Sequence, residues 1–182
     1  MASELSHEAI AAYAGVFMSA LVLIVSVVSI WAAVNAMRLQ KEHNYKSFAP
    51  LPWISLADYE NRLSIKIFNN GVGPLIVDFI EVSDSKTSKP NVIDFMSNIP
   101  TDWSTFISEF RNRSISAGQS LTLLEWDSDG STTANKIRDL CRSELMKLRL
   151  VMHWRDIYDR PHPPTERTFE WFGRNLETSA NA

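Results

Sequence analysis

Between Ala9 and Met37 no side chain carries a charge, whereas beyond Pro50 apolar residues recur in short runs divided by turn-forming residues. The first stretch, "AIAAYAGVFMSALVLIVSVVSIWAAVNAM", exceeds the ~20 apolar residues that a helix needs to cross a ~30 Å hydrocarbon layer. It predicts a transmembrane helix embedded over roughly Ala11 to Val34. Tyr13 and Trp31 then lie ~27 Å apart along the helix, which sets two amphipathic rings at opposite interfaces. A cleaved signal peptide fits less well, because "MASELSHE" lacks Lys and Arg and the apolar run is far longer than a signal core of ~7–15 residues. Glu4 and Glu8 precede the span while Arg38, Lys41 and Lys46 follow it. Positive flanks stay cytoplasmic, so the N-terminus is predicted outside and the rest of the chain inside.

One face of this helix is built from small residues. Ala11, Gly15, Ser19, Val22, Ser26, Ser29 and Ala33 follow at spacings of three or four. In lipid, small side chains let backbones approach closely and serine can hydrogen-bond across an interface. The face is therefore a candidate for homo-oligomerisation, although any spanning helix carries some small residues. Val16, Phe17, Leu23, Val27 and Ile30, on the opposite side, suit acyl chains.

After a helix extension and linker, "RLQKEHNYKSFAP", Pro50 and Pro52 stop any helix and the period changes. "WISL" is a short strand candidate, and "RLSIKIF" alternates Leu63, Ile65 and Ile67 against Ser64 and Lys66. "LIVDFIEV" is apolar on both faces apart from Asp78 and Glu81, the mark of a central strand. "SLTLLEW", "LRLVMHW" and "RTFEWF" complete the strand candidates. "TTANKIRDLCRSELMKL" instead sets Ala134, Ile137, Cys141, Leu145 and Leu148 on one helical stripe, with Lys136, Arg138, Asp139 and Arg142 off it. The segment from Ser83 to Asn112 reads as short helices or irregular excursions.

The expected fold is mainly β: one N-terminal transmembrane helix, then a β-sandwich, Ig-like or a small barrel, of about six to eight strands with one inserted helix. The expected divisions are 1–8 outside, 9–37 transmembrane, 38–52 juxtamembrane linker, 53–174 β-domain and 175–182 a disordered tail.

Composition narrows the chemistry. A net charge of −3 over 182 residues gives no basic excess for nucleic acid, so no nucleic-acid partner is expected. The single cysteine, Cys141, has no internal partner and sits on the apolar stripe, where it reads as a small core residue. His7, His43, His153 and His162 share no metal-ligand spacing, so neither metal nor cofactor is expected. "WDSDGS" starts like a calcium loop from Asp127, but the twelfth position holds Arg138 where a Glu is needed. It reads as a turn, with Ser131 or Thr132 capping the following helix. No GxSxG, HExxH or Walker pattern occurs, so no enzyme activity is expected.

Two polar features remain. "HWRDIYDRPHPPTER" crowds Arg155, Asp156, Tyr158, Asp159 and Arg160 at a strand end, either as a rim contacting a partner or anion or as solvated ion pairs. "NNGVGP", Asn69 to Pro74, is a bend between neighbouring strands, with Asn69, Asn70 and Gly71 supplying residues that tolerate positive φ. A phosphate cradle there would precede a helix N-terminus, and a strand follows instead.

Taken together, "LPWISL", "LSIKIFNNGVGPLIVDFIEV" and "LRLVMHWRDIYDR" resemble small bacterial single-pass membrane proteins with a cytoplasmic β-sandwich, some of which accompany phage-defence genes. The resemblance covers about a third of the chain and includes no active site. It implies residence in the cell inner membrane and a sensor or effector component of antiviral defence. On this reading the protein is not an enzyme. Its sandwich binds a protein partner or small ligand, and its helix meets the lipid bilayer. The alternative is a passive anchor or accessory subunit for a neighbouring enzyme, with a membrane-bound hydrolase behind it.

Overall fold

A computed structural model of the protein describes residues 7–99 and 101–176, and for residue 8 the backbone alone. The predicted N-terminal segment and tail therefore lie largely outside the described residues. The chain falls into two compact units that divide between Lys46 and Ser47.

Helix α1 runs unbroken over His7–Ser47 and is long and apolar enough to cross a membrane. Its large apolar side chains stay uncovered by protein, with Phe17 at 65% and Leu23 at 68% exposure. Such a surface is stable only against lipid or another apolar face.

The second unit is β-rich. Its strands, among the described residues, are β1 (Pro52–Tyr59), β2 (Arg62–Asn69), β3 (Leu75–Ser83), β4 (Ser88–Lys89), β5 (Thr105–Phe106), β6 (Arg111–Ile115), β7 (Ser120–Asp127), β8 (Arg149–Arg155) and β9 (Thr165–Thr168). They form two antiparallel sheets. One has the order β1-β2-β7-β5; the other has the order β4-β3-β8-β9, with β6 also paired to β3. Helix α2 (Thr132–Leu145) is inserted between β7 and β8.

Alternation predicted the inward faces well. Leu63, Ile65 and Ile67 of β2, and Leu150, Met152 and Trp154 of β8, are buried in the common core. The doubly apolar β3 resolves through a bulge: Val77 pairs with Trp154 and Phe79 with His153, which leaves Asp78 as the extra residue. The bulge shifts the phase, so Leu75, Val77, Ile80 and Val82 are buried while Phe79 and Glu81 turn outward. Asp78 uses its side chain to hold Arg155 on the neighbouring strand.

The bend "NNGVGP" corrects one expectation. It joins β2 to β3, which belong to different sheets, so it crosses the core end and does not turn between sheet neighbours. Neither Gly71 nor Gly73 has a positive φ. Both are needed because the entering chain passes over them. A Cβ on Gly73 would overlap the Phe48 carbonyl, and one on Gly71 would strike the backbone of Ala49–Leu51.

Asn69 secures this crossing from a fully buried position. Its Nδ2 donates to the carbonyls of Gly73 (2.7 Å) and Ile115 (3.0 Å), and its Oδ1 accepts from the amides of Gly71 (3.1 Å) and Leu51 (3.2 Å). Both polar atoms of one side-chain amide are thus used, and three chain segments are tied at one point.

Helix α2 starts where the turn reading placed it, with Ser131 Oγ accepting from the Ala134 amide at 3.1 Å. Arg142, expected off the apolar stripe, is instead buried against β1. Its guanidinium donates to the fully buried Asp58 carboxylate, at 2.7 Å from Nη2 and 3.2 Å from Nε. Asn175, expected in a disordered tail, donates to the same carboxylate at 3.0 Å. "RTFEWF" is also corrected: β9 ends at Thr168, and Glu170–Asn175 forms a 3₁₀ helix. Phe169 and Phe172, three apart, both reach zero exposure edge-to-face at 6.3 Å, a spacing that a 3₁₀ turn satisfies and a strand does not.

Among the described residues, strand β1 has no strand partner along its outer edge, and two arginines cover it. Arg167 Nη1 donates to the Ile54 carbonyl (3.0 Å) and Arg174 Nη2 to the Asp58 carbonyl (3.5 Å). Arg167 also lies 5.1 Å from the Trp53 ring. Positive charge on an edge strand discourages further pairing.

Candidate functional site

The polar cluster after β8 folds onto itself. Asp156 is its hub, 6% exposed: Oδ1 accepts from the amides of Tyr158 (2.8 Å) and Arg160 (3.1 Å), while His162 Nε2 stands 3.4 Å from Oδ2. Burial alone would raise the Asp156 carboxyl, but the Arg160 and Tyr158 amides and the His162 ring outweigh it and hold the group below the ordinary aspartate value. His162 stacks on Trp154 at 4.3 Å, and Arg155 reaches Asp159 at 3.1 Å as well as Asp78. Asp159 takes a positive φ of 57° to close the turn. Arg155 and Asp156 are thus spent on building a turn between β8 and β9, while Tyr158 and Arg160 lie within that turn.

On α1, Ala11, Gly15, Ser19, Ser26, Ser29 and Ala33 stand exposed along the helix. The hydroxyls of Ser19, Ser26 and Ser29 donate to the carbonyls of Gly15, Val22 and Val25 at 2.8–2.9 Å. Their first hydrogen bonds are made within their own helix. Cys141 is fully buried, and burial pushes its thiol up to about 12, so it stays protonated at neutral pH.

A site that sequence reasoning missed lies on one edge of β3. Strand β6 pairs along this edge as far as Phe79, opposite Arg111, and β4 pairs at Val82 and Ser83, opposite Lys89 and Ser88. Ile80 and Glu81, between them, have no strand partner on that side among the described residues. Successive strand residues turn their backbone groups to opposite edges, so one of the two directs its N–H and C=O into the gap.

One step beyond the β4 pairs Pro90 would stand against Glu81, and one step beyond the β6 pairs Phe110 would stand against Ile80. Neither pairing is formed, so both strands leave β3 before they meet. The gap opens as a cavity of about 460 Å³, a size common among ligand clefts.

Its walls carry distinct chemistry. Asn91 is 5% exposed, and its Nδ2 donates to Asp94 Oδ2 (3.0 Å) and the Ser108 carbonyl (2.8 Å). Both partners are acceptors, which fixes the amide orientation. Oδ1 is left buried with no hydrogen-bond partner among the described residues. Glu81, Glu109, Lys89 and Arg111 also line it. Lys89 is held by the Asp94 carbonyl at 2.8 Å and by the Phe95 ring at 4.7 Å. Phe79, 36% exposed, is backed by His153 in a 4.4 Å stack.

The sequence signal for this site is the "KPN" at Lys89–Asn91, a proline that ends a strand directly before a buried amide. Comparison of the chain with protein-family models and with curated proteins finds no match.

Proposed function

We propose that this chain is a non-enzymatic, membrane-anchored binding module. Helix α1 holds it in a bilayer, and the gap beside β3 receives a ligand. Asn91 carries this reading: it lines the cavity, and its buried Oδ1, which has no hydrogen-bond partner among the described residues, costs free energy unless it is met by a donor. The positive flank after the span orients the β-rich unit, a sandwich in this reading, toward the cytoplasm, in bacteria from the inner membrane. The small-residue face of α1 is the surface through which copies associate. The sensor or effector role in antiviral defence draws on the sequence resemblance alone, and growth arrest with dye entry on overexpression is its test.

The binding role is tested in cells with full-length protein carrying a photo-crosslinking residue at Ser108. Irradiation should yield a discrete crosslinked species in the membrane fraction, and Ser88→Trp, which fills the gap from its other wall, should remove it. No crosslink, or one indifferent to Ser88→Trp, overturns the role and leaves a passive anchor.

A further inference from the structure

The two ends of the β-rich unit differ in surface chemistry. Strand register places Pro52 against Asn69, Phe68 against Ser120, Leu75 against Ile115 and Ile76 against Arg155. The entering segment 48–51 and the loops 70–74, 116–119 and 156–164 therefore share one end. Their only charged residues are Asp156, which is buried, Asp159, which is paired with Arg155, and Arg160. Phe48, Leu51, Val72, Ile157 and Tyr158, all within these stretches, are between 42% and 66% exposed. The turns at the other end instead hold Glu60, Asp84, Lys86, Asp129 and Lys147. Single exposed apolar side chains are ordinary, but their grouping on one sparsely charged end marks an interaction surface.

We propose that this end of the β-rich unit docks on the bilayer surface, with Phe48, Leu51, Val72 and Ile157 entering the boundary between headgroups and acyl chains. The proposal is independent of the gap beside β3. Chain connectivity selects the occupant: Phe48 directly follows Ser47, the last residue of α1, so the apolar surface begins where the membrane helix ends. The uncharged run of that helix, Ala9 to Met37, is ~43 Å long against a hydrocarbon layer of ~30 Å, and such a helix tilts. Tilt lowers the rise of residues 38–47, ~15 Å along the axis, and brings Phe48 within reach of the headgroups. The surface is also preformed. Gly71 and Gly73 lie against Phe48–Leu51, and the Asn70 amide donates to the Leu51 carbonyl at 2.9 Å. Val72 is thereby fixed beside Phe48 and Leu51, and little ordering cost opposes its insertion. Tyr158 adds a ring with a polar tip, the kind of side chain that settles at a membrane interface. With so little charge on this end, docking proceeds on zwitterionic lipid and depends weakly on salt.

The test uses full-length protein at one copy per phosphatidylcholine nanodisc, with an environment-sensitive dye attached through Val72→Cys; the buried Cys141 is out of its reach. The same dye at Lys86→Cys, between β3 and β4, reports on the opposite end. The Val72 dye should emit at shorter wavelength, and phosphatidylcholine carrying a nitroxide high on its acyl chain should quench it roughly threefold more than the Lys86 dye. Leu51→Ser with Ile157→Ser, both at exposed positions, should reduce quenching at Val72 to the Lys86 level. Salt at about 1 M should leave the quenching unchanged. Equal quenching at the two dye positions overturns the proposal, whatever the serine variant does. Quenching at Val72 that persists in a serine variant of wild-type circular dichroism, or that high salt abolishes, overturns it as well. A Val72 shift seen only when two copies share a disc also overturns it and assigns this end to a second copy of the chain.

Discussion

Gly73 lies directly beneath the carbonyl of Phe48, so closely that no side chain fits between them. Gly118 is a glycine for another reason: its φ is +69°, and the space around it is open. The two positions separate crowding from conformation. Gly73→Ala should cost about 3 kcal/mol, because backbone has to move, while Gly118→Ala should cost roughly 1 kcal/mol. Denaturant unfolding in detergent, followed by circular dichroism, measures both; equal losses would contradict the close crossing.

Asp58 and Arg142 form a buried ion pair that joins β1 to α2. Removing Arg142 leaves the buried Asp58 carboxylate with only Asn175 at 3.0 Å and Arg174 at 3.6 Å, so Arg142→Met should destabilise by about 3 kcal/mol. Asp58→Leu with Arg142→Met should lose clearly less than the sum of the two single changes. Additive losses in the same unfolding assay would show that the pair is not coupled.

The Asp156 turn makes stability sensitive to acid. Its carboxyl is held below the ordinary value when folded, so its contribution is complete above the unfolded aspartate value near ~3.9 and is lost as pH falls through the folded value. Asp156→Asn keeps an oxygen for the Tyr158 and Arg160 amides but removes the charge. The wild-type advantage over this variant should be constant above about pH 5 and shrink toward zero as pH falls further. An advantage that grows on acidification would reverse the assignment.

On α1 the serine hydroxyls already bond to their own helix. Association through this face, as proposed above, would therefore depend on small size more than on interhelical hydrogen bonds. Ser19→Ala with Ser26→Ala should leave crosslinked oligomer in membranes intact, and Ser19→Leu with Ser26→Leu should remove it. Unchanged crosslinking in the leucine variant would rule the face out.

What could be read in advance followed from local periodicity. The apolar run of α1, the inward residues of β2 and β8, and the Ser131 start of α2 all express a repeat visible within a dozen residues. Strand β6 was not legible, because "RNRSI" is polar and becomes a strand only by pairing with β3. Nor was the partner of Arg142, which lies 84 residues away along the chain. The gap beside β3 is harder still, since it exists only where β4 and β6 both fail to continue. Its one local trace is Pro90 before Asn91. At "NNGVGP" the glycines were visible, but the segment they crowd, Phe48 to Leu51, was not.

The arginines over β1 bear on how such molecules share a surface. Anchoring by α1 would confine copies to two dimensions with their β-rich units at similar height, where edge-to-edge encounters are far more frequent than in free solution. An eight-residue strand with bare carbonyls would then template its own continuation. With Arg167 and Arg174 already seated on two of those carbonyls, an approaching copy meets positive charge and filled acceptors. Crowding on the membrane can then rise without the domains polymerising into a continuous sheet.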